Sequence, residues 1–418
     1  MITIIVSHFL NDWETKMVIW KEGKLKDFAE VKGGKRLPKG QHLISKPNSH
    51  PYIRIRDLGK SKILELTNDY EYVDDVTQKT IARYTVTEGD LLISVVGTIG
   101  LIAIVGRTLN GANQTENCDK IINIKNLDRD YLYYYLVSSL GQEEIKKGTV
   151  GAVQPKLPLK NVQDLTIRYP DFKTQKKIAS FLGSLDYKIE VNRAINRNLA
   201  ATAQAIYQSW FVDYEPWGGN IPTYWIRGRF GDFVEVKRGG SPRPIQDFIS
   251  NSGYRWLKIS DVTSVESPFI LSIKEHIKKE GIKKTVLLKP GALVLSNSAT
   301  PGIPKILDVE TCIHDGWLYF PKKKLSNEFL YLFFLDNHDG LVSLGNGSVF
   351  TNLKTDILKG FPIAIPDQEA LQKFDSLVQP CFTQMRELAR ENRSLSVLRD
   401  SLLPKLMSGE LDVSKLEL

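Results

Sequence analysis

The chain has 418 residues, 42% of them hydrophobic and 25% charged, which is enough apolar material for two or three folded units and excludes a mainly disordered state. Its 56 Lys+Arg against 48 Asp+Glu leave a net charge of +8, a balance that favours a polyanionic partner. Three widely spaced cysteines, Cys118, Cys312 and Cys381, exclude a disulfide framework and a thiolate metal cluster and fit a reducing cytoplasm.

In chain order, the opening MITIIVSHFL lacks a basic leader and runs into Asn11, Asp12 and Glu14. It is too short for a signal-peptide core or a membrane span, so we expect a leader or a short strand and no membrane partner. Next comes a region of alternating apolar and polar residues punctuated by Gly and Pro. Asp27–Val31, Tyr52–Ile55 and Leu91–Val95 read as strands, and the Tyr-rich run Asp130–Leu140 reads as a helix. After Pro170 the pattern becomes a long helix.

The same plan then repeats. Trp20, Gly23, Asp27, Phe28, Glu30, Val31 and Lys32 match Trp225, Gly228, Asp232, Phe233, Glu235, Val236 and Lys237. Tyr52–Leu58 lies beside Trp256–Val262, Glu88–Ser94 beside Pro290–Ser296, and Asp130–Leu136 beside Glu328–Phe334. Gly151, Leu157 and Pro170 meet Gly347, Leu353 and Pro366. The register drifts by a few residues along the chain, as small loop insertions produce. The second copy also ends in a long helix.

Each helix carries a heptad seam. Leu182, Leu185, Ile189, Asn192, Asn196, Leu199, Ala203, Ile206 and Trp210 form the first; Phe374, Val378, Cys381, Met385, Leu388, Asn392, Leu395, Leu402 and Leu406 form the second. A helix of about 38 residues is on the order of 57 Å long, and two such seams can bury each other as a coiled coil. If a pseudo-twofold relates the copies, the helices run antiparallel with a globular copy at each end. Asn196 and Asn392 occupy equivalent seam positions and either fix register or are solvated on a frayed seam. Pro380 is expected to kink the second helix or delay its start.

Catalytic signatures are sparse. The sequence holds no P-loop pattern and no N-P-P-Y-like amino-methyltransferase motif. The Gly-spaced run Leu344–Ser348 lacks a Rossmann context. The histidines His8, His42, His50, His276, His314 and His338 show no H-E-x-x-H spacing, so no metal site is expected. Glu30-Val-Lys32 and Glu235-Val-Lys237 read E-x-K, as in Mg²⁺-dependent nucleases. The competing and favoured reading is a strand with Phe28 and Val31 toward the core and the charges toward water.

Binding features are richer. Each E-V-K strand leads into a basic Gly-Gly turn: Lys32, Gly33, Gly34, Lys35 and Arg36 in the first copy, Lys237, Arg238, Gly239, Gly240, Ser241 and Arg243 in the second. Adjacent glycines let backbone N–H groups approach a phosphate, and the cations add charge-assisted contacts. Arg54 and Arg56, matched by Lys258, add charge at the next strand. A second loop pair carries Thr98 in the first copy and Asn297 and Thr300 in the second, side chains able to reach base edges. For each loop the alternative is an ordinary hairpin turn.

On these motifs the chain resembles the specificity (S) subunit of type I restriction–modification enzymes. The carriers are the W-x-x-G…D-F start of each half, the Gly-Gly turns, the Gly89–Ser94 and Gly97–Gly100 segments, the Pro-led start of each helix, the join Ala205–Pro216 and the C-terminal Leu402–Leu411. The turns depart modestly from the family pattern: Lys35-Arg-Leu-Pro38 stands where Thr-Pro is usual, and the second has Ser241-Pro242. The resemblance implies an α+β fold: two pseudo-twofold-related target recognition domains joined by two long antiparallel helices forming a coiled coil. It implies a first recognition domain over 1–170, a central conserved helix over 171–213, a second recognition domain over 214–366, a distal conserved helix over 367–407 and a tail over 408–418. Each domain would read one half of a bipartite, asymmetric double-stranded DNA site, with the helices as spacer and as dock for methyltransferase (M) subunits, two in number. Half-sites one turn apart lie about 34 Å from each other on one DNA face. The chain itself would be non-catalytic and bind no cofactor. S-adenosylmethionine, ATP and Mg²⁺ would sit on the M and restriction (R) subunits. The alternatives are a self-contained nuclease using the E-x-K residues and a coiled-coil assembly protein that never touches DNA.

Overall fold

The computed structural model describes residues 19–263, 265–344 and 352–413. The opening MITIIVSHFL, with Asp12 and Glu14, and Gly347 of the second copy lie outside them. The chain divides into two compact units. One runs up to Tyr187 and resumes at Leu395; the other is Lys188–Ser394. The division falls inside both long helices, so each unit owns a globular α+β domain and a segment of each helix.

The repeat read from residue identity is a repeat of topology. In the first unit a five-stranded sheet has the order Glu30–Gly33, Cys118–Ile122, Leu91–Ser94, Ile102–Val105, Ile63–Leu64. In the second the order is Lys237–Arg238, Trp317–Tyr319, Leu293–Ser296, Pro304–Leu307, Phe269–Ile270. Registers match as well: Lys32 pairs across to Lys120, and Lys237 to Tyr319. Each unit closes with a two-stranded antiparallel ribbon that ties the domain's start to the strand before its long helix, Lys21–Lys24 with Thr166–Tyr169 and Ile226–Arg229 with Pro362–Ile365. The central strands Leu91–Ser94 and Ile102–Val105 are buried along their whole length, as their near-continuous apolar sequences require.

Local chemistry moves several expected boundaries. Asp27 lies in a short 3-10 turn, Leu25–Asp27, and the strand starts at Glu30. Asp27 accepts the N–H of Lys24 at 2.9 Å, which favours the turn over extension. The extended segment at Tyr52 ends at Ile53, because Asp57 accepts the N–H of Arg54 at 2.7 Å and winds a second turn over Ile55–Asp57. The single helix expected over Asp130–Leu140 is two, Arg129–Val137 and Ser139–Gly148. Ser138 breaks it by capping the second: its Oγ accepts the N–H of Gly141.

The long helices run Phe172–Phe211 and Gln368–Ser408. Asp171 caps the first by accepting the N–H groups of Lys173 and Thr174 at 3.0 and 3.1 Å. Pro380 does not delay the second. It stands on an exposed face, where water can satisfy the carbonyl that its missing N–H leaves free.

Within the second unit the two helix segments pair antiparallel. Asn192 sits opposite Glu391 and Asn392, while Phe211 packs against Phe374 with ring centroids 4.8 Å apart. Of the seam residues, Ile189, Met385, Leu388 and Leu395 are buried; Leu185, Asn196, Leu199, Ile206, Asn392 and Leu402 are half-buried. Tyr207, Phe382 and Met407, off the expected seam, are buried too. The buried polar seam residue is Asn192, fully enclosed at 0% exposure. Its Nδ2 donates to Glu391 Oε2 at 2.7 Å and Asn392 Oδ1 at 2.9 Å, and Asn392 donates onward to the Ile189 carbonyl. Asn196 is half-buried, and its Oδ1 is enclosed without a partner among the described residues.

In the first unit the matching tie is ionic. Arg399 donates to Asp186 at 2.7 Å, and Asp186 accepts the hydroxyl of Tyr134 at 2.6 Å. Lys62 lies over the Tyr134 ring and pairs with Asp130 at 2.6 Å. One network thereby joins the domain's Arg129–Val137 helix to both long-helix segments. No helix among the described residues is long and apolar enough to cross a membrane.

Candidate nucleic-acid interface

The E-x-K residues are surface pairs. Glu30 and Lys32 bridge each other at 3.0 Å, as do Glu235 and Lys237, with the intervening Val31 and Val236 buried. Strand alternation puts the charges on one face and the valine on the other. Asn123, donating to Glu30, and then Lys32 hold that carboxyl below its usual range. Among the described residues no set of three or more His, Cys, Asp or Glu side chains is placed to hold a metal ion.

The Gly-Gly turns follow directly, and the structure gives their glycines a different reason. A Cβ on Gly34 would stand 2.0 Å from the carbonyl oxygen of Thr115, and one on Gly239 2.2 Å from that of His314. The glycines let the turn press against the opposite chain. Their N–H groups are spent there: Gly34 donates to the Cys118 carbonyl at 3.2 Å, Gly239 to that of Trp317 at 2.9 Å, and Gly240 to that of Ile313 at 3.3 Å. Phosphate contact at these turns therefore falls to the side chains. Gly33 continues the strand opposite Asp119.

One acid holds each turn, at equivalent positions. In the first copy Glu116 takes Arg36 Nε at 2.7 Å. In the second, Asp315 accepts from Ser241 Oγ at 2.6 Å and from Arg243 at 3.4 Å, and its backbone carbonyl accepts from Arg238. The Ser241 hydroxyl is the main reason Asp315 stays ionised below the usual carboxylate range; the nearby Arg238 guanidinium adds to it. Arg36 and Arg243 nonetheless leave 82% and 81% of their side chains exposed. Each guanidinium has one edge fixed and the rest facing water, a geometry suited to a phosphate or a base edge. Lys35 lies over the Tyr84 ring at 5.7 Å.

The next cations are less available. Arg54 pairs with Glu71, and Lys258 pairs with Glu275, an equivalent ion pair in the two copies. Arg56 shares Glu71 at 2.9 Å and donates to the Asp69 carbonyl at 3.1 Å. These ions brace the turns at Ile55–Asp57 and Ser260–Thr263.

The second loop pair is built identically in both copies. Ser94 Oγ donates to the Thr98 carbonyl at 2.6 Å and accepts the Leu101 N–H at 2.8 Å. Ser296 Oγ donates to the Thr300 carbonyl at 2.6 Å and accepts the Ile303 N–H at 2.8 Å. The buried serine holds the loop closed and leaves Thr98 and Thr300 exposed at its tip. Asn297 is different: it is only 4% exposed, and its Nδ2 donates to the Asp315 carbonyl at 3.3 Å. It ties the second loop to the acid that holds the Gly-Gly turn.

A buried carboxyl also borders the first turn. Asp119, 4% exposed, faces Gly33 and has one oxygen without a partner; burial raises its pKa to about 6. The acids Glu71, Glu275, Glu116 and Asp315, the loop serines and Asp119 are site residues that motif reading passed over.

Comparison with known proteins identifies the family. The family model for the type I restriction modification DNA specificity domain matches twice, over residues 17–201 and 222–385. The MjaIX specificity subunit of Methanocaldococcus jannaschii is 26% identical over 425 residues, covering 97% of this chain and 95% of the relative. The HindI specificity subunit of Haemophilus influenzae is 23% identical, covering 68% of this chain and 77% of that one. In fold, the chain is similar to the crystal structure of the type I restriction–modification S subunit from M. genitalium, with a TM-score of 0.58 and 14% identity over 94% of this chain and 98% of the other.

Proposed function

The chain belongs to the type I restriction modification DNA specificity family, and from that premise we propose that it reads a bipartite, asymmetric site on double-stranded DNA, one half per recognition domain. It is the specificity component of a type I restriction–modification system, with two recognition domains. The reading of half-sites is supported chiefly by one observation. The same pair of loops, a Gly-Gly turn held by one acid and a serine-closed loop with an exposed threonine, recurs in both units on unlike side chains. A repeated scaffold whose turns carry different side chains, Lys35 and Arg36 against Ser241 and Arg243, suits two domains that read different words.

In this reading Lys32, Lys35, Arg36, Lys237, Arg238 and Arg243 contact phosphates or base edges, and Thr98 and Thr300 reach toward bases. Gly33, Gly34, Gly239, Gly240 and Ser241 shape the turns. Arg54, Arg56, Lys258 and Asn297 position the loops. The long helices set the separation of the half-sites and dock M subunits, two per chain. Adenine methylation with S-adenosylmethionine belongs to those subunits, and ATP- and Mg²⁺-dependent translocation and cleavage to R subunits. The working compartment is the cytoplasm.

Site selection from random duplex DNA, with M subunit present, tests the proposal. The expected product is two short words at a fixed separation. A selected pool without sequence preference, or binding indifferent to salt, would reject it.

A further inference from the structure

Beside the Lys237–Arg238 strand the second unit holds an open cleft of about 660 Å³ lined by Lys237, Lys322, Lys323, Lys324 and Lys359. Two acids also line it, Asp232 and Glu235. Asp232 accepts the N–H of Arg229 at 2.8 Å, and Glu235 pairs with Lys237. The second Glu235 oxygen is buried without a partner among the described residues. Lys323 donates to the neutral Asn327, and burial lowers its ammonium pKa. The ammonium groups of Lys322 and Lys324 have no ion-pair partner among the described residues. Lys359 in turn lies 3.9 Å from Asp356, so five lysines face three acids and a net positive field converges on one concavity.

The first unit lacks this feature on the same scaffold. The strand register puts Asn123, Ile124 and Lys125 where the second copy has Lys322, Lys323 and Lys324, and Gln163 where it has Lys359. There Glu30 accepts from Asn123 at 2.8 Å. Lys26 stands where the second copy has Gly231, but it is paired with Asp164 at 2.7 Å, so the second copy carries five lysines at the positions where the first has three. Lys237 belongs both to this cleft and to the basic turn that ends at Arg243, so the two positive features are continuous.

We propose that the Lys322–Lys324 cleft is a sugar–phosphate backbone site for DNA, present on the second domain and absent from the first. It rests on the reading of the chain as a DNA-recognition subunit. Lysines act here as point charges on phosphate oxygens, without regard to sequence. The second domain therefore supplies the larger share of salt-dependent affinity, and the first depends more on its base contacts.

The test compares the full chain with K322N/K324Q/K359Q, which installs neutral side chains, and with K322R/K324R/K359R, which keeps the charge. Lys323 is left in place because it is half-buried. Binding to a duplex is followed by anisotropy from 50 to 300 mM salt, with matching thermal unfolding as the folding control. Each phosphate contact adds about 0.9 to the slope of log K against log salt. The neutral variant is expected to lower that slope by roughly 2–3 and to weaken binding about 100-fold at 150 mM salt. The arginine variant should keep the wild-type slope. Phosphate-ethylation interference should vanish beside the second domain's half-site only. If the neutral variant binds as wild type while R243A weakens binding, the cleft proposal fails and the recognition reading stands. If wild type binds no DNA at any salt, both fall. If the neutral variant loses M-subunit association with its DNA slope intact, the cleft serves an acidic protein surface and the proposal is overturned.

Discussion

Arg399→Met probes the network that ties the first unit's domain to its helix segments. Arg399 reaches Asp186 at 2.7 Å, with side-chain exposures of 30% and 13%. Removing the guanidinium leaves a largely enclosed carboxylate with only the Tyr134 hydroxyl, 2.6 Å away. Stripping one partner from a buried pair costs about 3–5 kcal/mol. Arg399 is partly exposed, so about 2–4 kcal/mol is expected here. Asp186→Asn removes the charge but leaves Arg399 its second partner, Asp400 at 2.7 Å, so it should cost about 1–2 kcal/mol. The double variant should cost less than the sum, with a coupling of about 1.5–3 kcal/mol. In a domain of 150–250 residues each kcal/mol lowers Tm by about 2–4 °C, so Arg399→Met alone should lose roughly 5–15 °C. Calorimetry on the wild type, both single variants and the double variant measures this. Effects that add within about 0.5 kcal/mol would show that the pair is not coupled and that the network is surface decoration.

Three further predictions follow from particular side chains. Arg36→Ala and Arg243→Ala should each weaken DNA binding about tenfold and flatten the salt slope by about 1, read by anisotropy titration; unchanged slopes would place the turns away from DNA. Asp119 has its pKa raised to about 6 by burial, so its protonated form favours the fold. Its contribution is full below the ordinary carboxylate range and is lost as pH rises through about 6, at roughly 3 kcal/mol in the ionised state. Asp119→Asn should therefore stabilise the chain by about 2–3 kcal/mol at pH 8 and little at pH 4, measured as urea midpoints across pH. Asn192→Ala should destabilise by about 1–3 kcal/mol by removing the Nδ2 donor from Glu391, which keeps Lys188, and from the Asn392 side-chain carbonyl, while Asn192→Leu recovers most of it through apolar burial. A tolerated alanine in the same denaturation series would mean that these bonds carry no weight.

The repeat was legible because equivalent positions keep equivalent jobs: Phe28 and Phe233 both pack over a glycine, Gly23 and Gly228. The long helices were legible from their apolar spacing alone. The Arg36–Glu116 ion pair and the Ser241–Asp315 hydrogen bond were not, since their partners lie 80 and 74 residues apart and only the sheet brings them together. A signal was present all the same. Glu71 and Glu275, Glu116 and Asp315, and Ser94 and Ser296 occupy matching places in the two copies, and an acid or hydroxyl kept through divergence is one with a partner. The roles of Asn192 and Asn196 were not readable from a heptad, because the spacing does not say which polar seam side chain meets a partner on the facing helix: Asn192 does, whereas the enclosed Oδ1 of Asn196 has none among the described residues. The Gly-Gly turns were found correctly as turns. Their glycines answer to the backbone of the facing strand, a contact that sequence spacing does not contain.

Replacing residues 214–366 with the corresponding domain of another family member, and mapping the DNA site before and after with M subunit present, tests the division of labour most directly. Two independent readers on one repeated scaffold predict that one word of the site changes while the other word and the gap persist. Alteration of both words together, or of neither, would contradict it.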